Sequence, residues 1–267
     1  MSTGKMRFYS VCQNAQVEFT YVLPNDYPPF MTEVNPHFKR GMKALYLLHG
    51  ITGNDLDWEC NGTAEELALK YNLAIFMVTA GNNFYLDRAA TGAQYGKYVG
   101  QEVIDFTRKT FHLSDKREDT LIGGLSMGGF GAIHTAWAYP DTFGGIVALS
   151  SAMIIHNIQG MKPGTKDMMA NYEYYREVFG DLDKVSESDN NPEVLYKKCI
   201  QEGKKMAPLY MAIGKEDFLY QENQIMRKFL DDQGANYKYE EGPGIHDWNF
   251  WNAYITKGLE YVLNEIK

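Results

Sequence analysis

The stretch Leu121-Ile122-Gly123-Gly124-Leu125-Ser126-Met127-Gly128-Gly129 governs how the rest of the chain is read. An apolar run rises into Gly124, a serine follows two residues later, and two more glycines open a small-residue segment. G-x-S-x-G in that setting is the pattern of a sharp strand-to-helix turn that lifts a serine hydroxyl above the end of a sheet. A serine held in an unfavourable backbone conformation crowds its neighbours two places away, and residues without a side chain leave room for strand and helix to meet. With 25 glycines and eight serines in 267 residues, chance supplies about 0.07 such patterns. The flanks must therefore decide between a nucleophile turn and a glycine-rich turn with a surface serine.

Working outward, Ala44-Leu45-Tyr46-Leu47-Leu48-His49-Gly50 is a continuous apolar run, as expected of a central strand covered on both faces. Leu73–Val78, Thr120–Leu125, 143–150, 207–213 and Tyr237–Glu240 read as further strands. Helices alternate with them. One begins near 63 at the capping box Thr63-Ala64-Glu65-Glu66. Others cover 98–111, with Val99, Val103 and Phe106 on one face, and 127 to Pro140, with Gly131, Ala132, Ala136 and Ala138. Two more run from about Gln221 to Asp232 and over 248–265, the last with Trp251, Ile255, Leu259 and Val262 on one stripe. Residues 7–24 alternate apolar and polar as a half-buried antiparallel strand or hairpin, and 25–42, with Pro28, Pro29 and Pro36, read as a loop.

Strands alternating with helices predict an α/β fold with a mostly parallel central sheet and helices on both faces. The alternation breaks only over 152–206, which is richer in Met, Tyr, Asn and Asp and contains a helix-like stretch at Tyr172–Phe179. This segment is expected to be an insertion after the strand at 143–150, shaping a substrate pocket within a single domain spanning 1–267.

Bulk composition narrows the function classes. The 26 cationic and 34 anionic side chains give a net charge of −8, so no basic footprint for nucleic acid or an anionic membrane is present. Met1-Ser2-Thr3-Gly4-Lys5-Met6-Arg7 lacks the apolar stretch of a signal peptide, and no run approaches membrane-spanning length. Cys12, Cys60 and Cys199 are odd in number and widely spaced, which argues against a disulfide framework or zinc site and fits a cytoplasmic protein.

A serine hydroxyl is a poor nucleophile near neutral pH and needs a base, a group that orients the base, and donors for an oxyanion. Of six histidines, His246 is the expected base, because Gly242-Pro243-Gly244-Ile245-His246-Asp247-Trp248 is a glycine-rich loop between the last strand and the closing helix. His156, at the start of the insertion, is its rival. The orienting acid should follow the strand at 207–213, where Glu216 and Asp217 compete and periodicity does not separate them. Asp247, beside the histidine in the chain, is a poor orienter. For the oxyanion, one donor is expected from the N–H of Met127 and the other from the loop His49-Gly50-Ile51-Thr52-Gly53, at Ile51. Trp58, Tyr85, Tyr220 and Trp248 lie in segments near strand ends and are candidate walls of an aromatic pocket, against the alternative that they are ordinary core or surface aromatics.

Taken together, Leu47–Asn54 with Trp58, Tyr95-Gly96 with Glu102, Gly124–Gly129, Glu216-Asp217-Phe218 and His246-Asp247-Trp248 resemble the esterase D group of α/β-hydrolases. Tributyrin esterases and cinnamoyl (feruloyl) esterases are the nearest types by resemblance, with S-formylglutathione hydrolases and mycolyltransferase-type proteins sharing the frame. The resemblance runs from about residue 7 to the C-terminus. It implies Ser126 as nucleophile, Asp217 rather than Glu216 as acid, His246 as base, and Ile51 and Met127 as oxyanion donors. It further implies a serine carboxylesterase acting on short-chain acyl or hydroxycinnamoyl esters, with no cofactor or metal, and with homo-oligomers among related proteins. Two alternatives stand beside it: a thioesterase of the S-formylglutathione hydrolase type, and a non-catalytic binding protein on a hydrolase frame.

Overall fold

The apolar runs assemble into one eight-stranded sheet in the computed structural model, which describes residues 1–266. In chain order the strands are β1 (Ser2–Ser10), β2 (Ala15–Leu23), β3 (Lys43–Leu48), β4 (Leu73–Val78), β5 (Thr120–Leu125), β6 (Gly145–Leu149), β7 (Leu209–Gly214) and β8 (Tyr237–Gly242). Their spatial order is β1-β2-β4-β3-β5-β6-β7-β8. The β1–β2 and β2–β4 pairs are antiparallel and all the others parallel.

Every residue of β3, β4 and β5 is buried, because helices cover both faces of the middle of the sheet. The two-residue period of a strand then divides these side chains between two cores. Tyr46, Leu48, Phe76, Val78 and Ile122 enter one, and Leu45, Leu47, Ile75, Met77 and Leu121 the other. The helix Met127–Ala138 packs into the first core through Phe130, Ala132, Ile133 and Ala136. The closing helix Trp248–Glu265 packs into the second through the expected stripe of Trp251, Ile255, Leu259 and Val262. Each fully buried Phe, Ile, Leu or Val among these is worth roughly 1.5–3 kcal/mol relative to exposure.

Chain order places the site. From β3 the chain steps to β4 on one side and then crosses to β5 on the other, so the strand order reverses between β3 and β5. Crevices at such a reversal, outside the carboxyl ends of the strands, are where open α/β sheets hold ligands. The loops after β3, β5, β6, β7 and β8 all leave the same edge, with Leu48 level with Gly124, Leu125 with Leu149, and Gly214 with Gly242.

Several expectations are adjusted. The N-terminal alternation begins at Ser2, not residue 7, and forms a full hairpin paired from Ser2–Leu23 to Ser10–Ala15. Its polar first strand, an edge strand, hides the signal. The helix near 63 runs Ala64–Tyr71, but Thr63 makes no capping bond and its hydroxyl is buried without a partner, so the capping box is not formed. Within 25–42, one helical turn (Pro29–Thr32) and a 3-10 turn (Pro36–Lys39) each start on a proline. The segment 152–206 carries helices Ile155–Ile158, Tyr172–Phe179 and Pro192–Gln201, and it adds Tyr175, Phe179, Val185, Leu195 and Tyr196 to the first core. The Glu102 carboxylate accepts from the Ser10 hydroxyl and from the N–H groups of Val11 (2.7 Å) and Cys12 (3.2 Å), tying the hairpin turn to the domain. Among the described residues no helix is long and apolar enough to cross a membrane.

Candidate active site

Ser126 sits at the carboxyl end of β5 with φ 55° and ψ −119°, a region that costs a non-glycine residue about 1–3 kcal/mol. The surroundings hold it there. Its N–H donates to the Leu149 carbonyl (2.9 Å), and its own carbonyl accepts from Ala152 (3.0 Å) and Phe130 (3.1 Å). The flanking glycines are steric necessities: a Cβ on Gly124 would run into the Gly128 backbone, and one on Gly128 into the carbonyls of Leu48 and His49. The G-x-S-x-G spacing thus records a three-way contact between β5, the helix behind it and the end of β3.

His246 Nδ1 lies 2.9 Å from Asp217 Oδ2 and 3.1 Å from Oδ1, and the Asp217 side chain is wholly shielded from solvent. Asp217 also accepts from the Leu219 N–H at 2.9 Å. A carboxylate only accepts, so the imidazole keeps its proton on Nδ1 and leaves the Nε2 lone pair free to take another. The competing acids have other duties. Glu216 accepts from the Gly244 N–H (2.7 Å), bracing the loop that carries His246, and Asp247 caps the closing helix through the Phe250 N–H (3.0 Å). The ring of His246 is flanked by Phe218 at 4.5 Å and by the edge of Trp251 at 5.0 Å. Trp251 is itself fixed by its Nε1–H to the Ser150 hydroxyl at 3.0 Å. His156, the rival base, instead meets Glu193 at 2.7 Å on the insertion.

The loop after β3 is fixed from beneath. Buried His49 places Nδ1 2.7 Å from the Gly50 carbonyl, while its Nε2 accepts from the Ala80 N–H at 3.2 Å. That pairing requires neutral imidazole, and burial lowers the His49 pKa accordingly. Thr52, at φ 67°, donates its N–H to the Asn82 side chain at 2.7 Å. Among the described residues, neither the Ile51 nor the Met127 N–H has an acceptor within the protein. Ile51 lines the cleft together with Ser126, and Met127 follows Ser126 directly in the chain; an oxyanion formed at Ser126 would need such donors.

Gly50, Ile51, Thr52, Asp57, Leu125, Ser126, Met168, Met169, Phe218, His246, Trp248 and Trp251 enclose a cleft of about 480 Å3. Of the four aromatics expected to line it, Trp248 does and three do not. Trp58 is fully buried, donates Nε1–H to the Leu48 carbonyl (3.0 Å) and meets Trp248 edge to face at 5.1 Å, so it supports the wall from behind. Tyr85 is equally buried, and its hydroxyl donates to the His49 carbonyl at 2.9 Å. Tyr220 turns away to Glu241 at 3.0 Å. Proximity in sequence to a strand end does not say which way a side chain points.

Met168, Met169, Asp57 and Trp251 were missed as cleft residues. The two methionines arrive on a tight hairpin in which Thr165 and Tyr172 pair and the Asp167 carboxylate accepts from the N–H groups of Met169 (2.7 Å) and Ala170 (2.9 Å). The buried Tyr175 hydroxyl grips both oxygens of Asp167 at 3.0 and 2.9 Å. Nothing in the sequence marks a loop of this kind, whereas Phe218, directly after Asp217, was within reach.

Comparison with known proteins agrees with this architecture. An "Acetyl esterase" of Caldicellulosiruptor saccharolyticus is 42% identical over 264 residues, covering 98% of each chain. The solved structure of FphF, a fluorophosphonate-binding serine hydrolase of Staphylococcus aureus, superposes with a TM-score of 0.84 at 28% identity over 98% of both chains. An S-formylglutathione hydrolase (FrmB) of the same organism superposes with a TM-score of 0.81 at 28% identity over 98% of this chain and 99% of its own. The model of the family described as "Putative esterase" matches residues 10–262, and the chain belongs to that esterase family, on an α/β-hydrolase fold.

Proposed function

We propose that the chain is a serine carboxylesterase that hydrolyses short-chain acyl esters through an acyl-enzyme on Ser126, with His246 as base and Asp217 as the orienting acid. The observation that carries the reading is the pairing of His246 Nδ1 with a fully shielded Asp217 at the rim of a cleft whose floor is the strained Ser126. As Ser126 Oγ attacks the ester carbonyl, His246 Nε2 takes its proton, and the N–H groups of Ile51 and Met127 receive the charge on the carbonyl oxygen. Collapse of the tetrahedral species breaks the bond to the alcohol, which leaves with the proton from His246. Water then adds to the acyl-enzyme with His246 again as base, releasing the acid and restoring Ser126. Asp217 holds the Nδ1–H tautomer throughout and stabilises the imidazolium.

The name of the acetyl esterase relative supports a small acyl group, and the cleft volume is at the lower end of small-molecule sites. Trp248, Trp251 and Phe218 give an apolar wall compatible with hydroxycinnamoyl groups as well. Turnover of acetyl, butyryl, octanoyl and feruloyl esters separates these, with acetyl and butyryl expected to lead; preference for octanoyl would refute a short-chain pocket. A second reading, thioester hydrolysis of S-formylglutathione, is favoured by the likeness to FrmB, and direct assay on that thioester decides it. The same reading has the enzyme in the cytoplasm, supported by three free cysteines. It includes self-association, for which the open edge of β1 with exposed Tyr9 and Val11 offers a surface, checked by sedimentation velocity.

A further inference from the structure

The lining of the cleft is uneven in polarity. Most of its lining side chains, among them Ile51, Leu125, Met168, Met169, Phe218 and Trp248, are apolar. Thr52 and Asp57 are polar, and among the described residues Asp57 is the only acid lining the cleft. Two residues earlier, buried Asp55 is saturated: Thr20 at 2.6 Å, Thr79 at 2.8 Å and Lys5 at 2.9 Å occupy its oxygens. Asp57 is not. Among the described residues no side chain or N–H is bonded to its carboxylate, and Asn61 bonds only its main-chain carbonyl. The carboxylate instead lies against Gly53, where a Cβ would overlap Oδ2, and beside the Gly50-Ile51-Thr52 loop. Among the described residues neither lysine nor arginine lines the cleft to neutralise it.

A half-buried carboxylate with free lone pairs and no counter-ion has two consequences for whatever enters. It accepts hydrogen bonds from hydroxyl groups of the ligand, and such charge-assisted bonds are among the stronger neutral-ligand contacts. It also repels a second negative charge in a confined space where water screens poorly.

We propose that Asp57 is a specificity-determining residue that selects neutral, hydroxyl-bearing esters and rejects esters carrying a carboxylate. The substrate class is thereby an acylated polyol, in which a free hydroxyl near the scissile ester donates to Asp57 while the apolar wall covers the carbon face. This rests on the reading of Ser126 as the nucleophile. That reading is checked separately by the loss, in Ser126→Ala, of turnover of 4-nitrophenyl acetate, an ester that carries neither a hydroxyl nor a charge for Asp57 to sense.

The experiment compares kcat/KM for three esters: 4-nitrophenyl acetate as reference, glycerol monoacetate, and 4-nitrophenyl hemisuccinate. The unsubstituted protein is set beside Asp57→Asn, which removes the charge and keeps an acceptor, and Asp57→Ala, which removes both. Stoichiometric phosphonate labelling of each variant verifies that the site is folded. The ratio of hemisuccinate to acetate should rise about tenfold in both variants. The ratio of glycerol monoacetate to 4-nitrophenyl acetate should fall about tenfold in Asp57→Ala and less in Asp57→Asn. If either ratio in Asp57→Ala stays within twofold of the unsubstituted protein, or moves in the opposite sense, the proposal is overturned.

Discussion

The turn at Ser126 and the hairpin at Met168–Met169 face each other across one cleft, yet they are built from different materials. The turn is made by backbone. Its serine is held at a positive φ by three main-chain hydrogen bonds, and its glycines exist because carbonyls of Leu48, His49 and Gly128 occupy the space a Cβ would need. The hairpin is made by side chains, with Asp167 bonding two N–H groups and Tyr175 gripping Asp167. Backbone constraints restrict residue identity to one or two choices and leave a pattern. Side-chain constraints can be met in many ways and leave none.

Removing chemistry from the backbone-built side should have the largest effect. Ser126→Ala is expected to lower kcat for 4-nitrophenyl acetate by roughly 10^6 with little change in stability; retention of even a tenth of the activity would end the acyl-enzyme account. Asp217→Asn keeps the shape but alters the partner of Nδ1, and a fall of about 10^4 in kcat is expected. If Glu216→Gln proved the more damaging of the two, the roles assigned to this pair would be reversed.

Steric and titration effects come next. Gly128→Ala forces a methyl against the Leu48 and His49 carbonyls, and urea unfolding should show a loss of about 3–5 kcal/mol. A loss under 1 kcal/mol would mean that the contact between strand end and helix relaxes easily. Stability should also fall with acid. Burial lowers the pKa of His49, and it lowers that of His134, whose Nε2 meets the Asp189 carbonyl at 2.8 Å, to about 4. The unfolded chain takes up protons near the ordinary histidine value of about 6.5 while the folded one resists. The stabilisation from these neutral histidines is therefore complete above that value and is lost as pH falls from there toward 4. Unfolding at pH 5 should be easier than at pH 7.5 by about 2 kcal/mol from His134 alone, with His49 adding in the same direction. A flat profile over this interval would show that neither imidazole is held neutral by the fold.

The side-chain-built region should respond least. Tyr175→Phe removes both bonds to Asp167 and frees the hairpin tip, with an expected rise of about two- to fivefold in KM and a smaller change in kcat. An equal drop in kcat for acetyl and butyryl esters, with KM constant, would instead tie the hairpin to the chemistry itself.

The same contrast explains what was legible from sequence. Buried parallel strands, the small-residue helix after Ser126 and the apolar stripe of the closing helix follow from periodicity, and the structure reproduces them. The start of β1, Ser2–Met6, fell outside the expected hairpin because an edge strand needs no apolar run, and the capping box at Thr63 is not formed, its hydroxyl accepting from no N–H of the helix. Spacing could not separate Glu216 from Asp217. The geometry that distinguishes them is a single step along the chain, which turns one carboxylate to the Gly244 N–H and the other to His246. Trp58, Tyr85 and Tyr220 lie close to the site in sequence but point beneath or away from it, holding Leu48, His49 and β8.

The most direct test of the account is covalent labelling by a fluorophosphonate followed by peptide mapping. One adduct per chain is predicted, on the peptide containing Ser126, abolished by Ser126→Ala and strongly slowed by His246→Ala. Labelling at another residue, or undiminished labelling of Ser126→Ala, would contradict it.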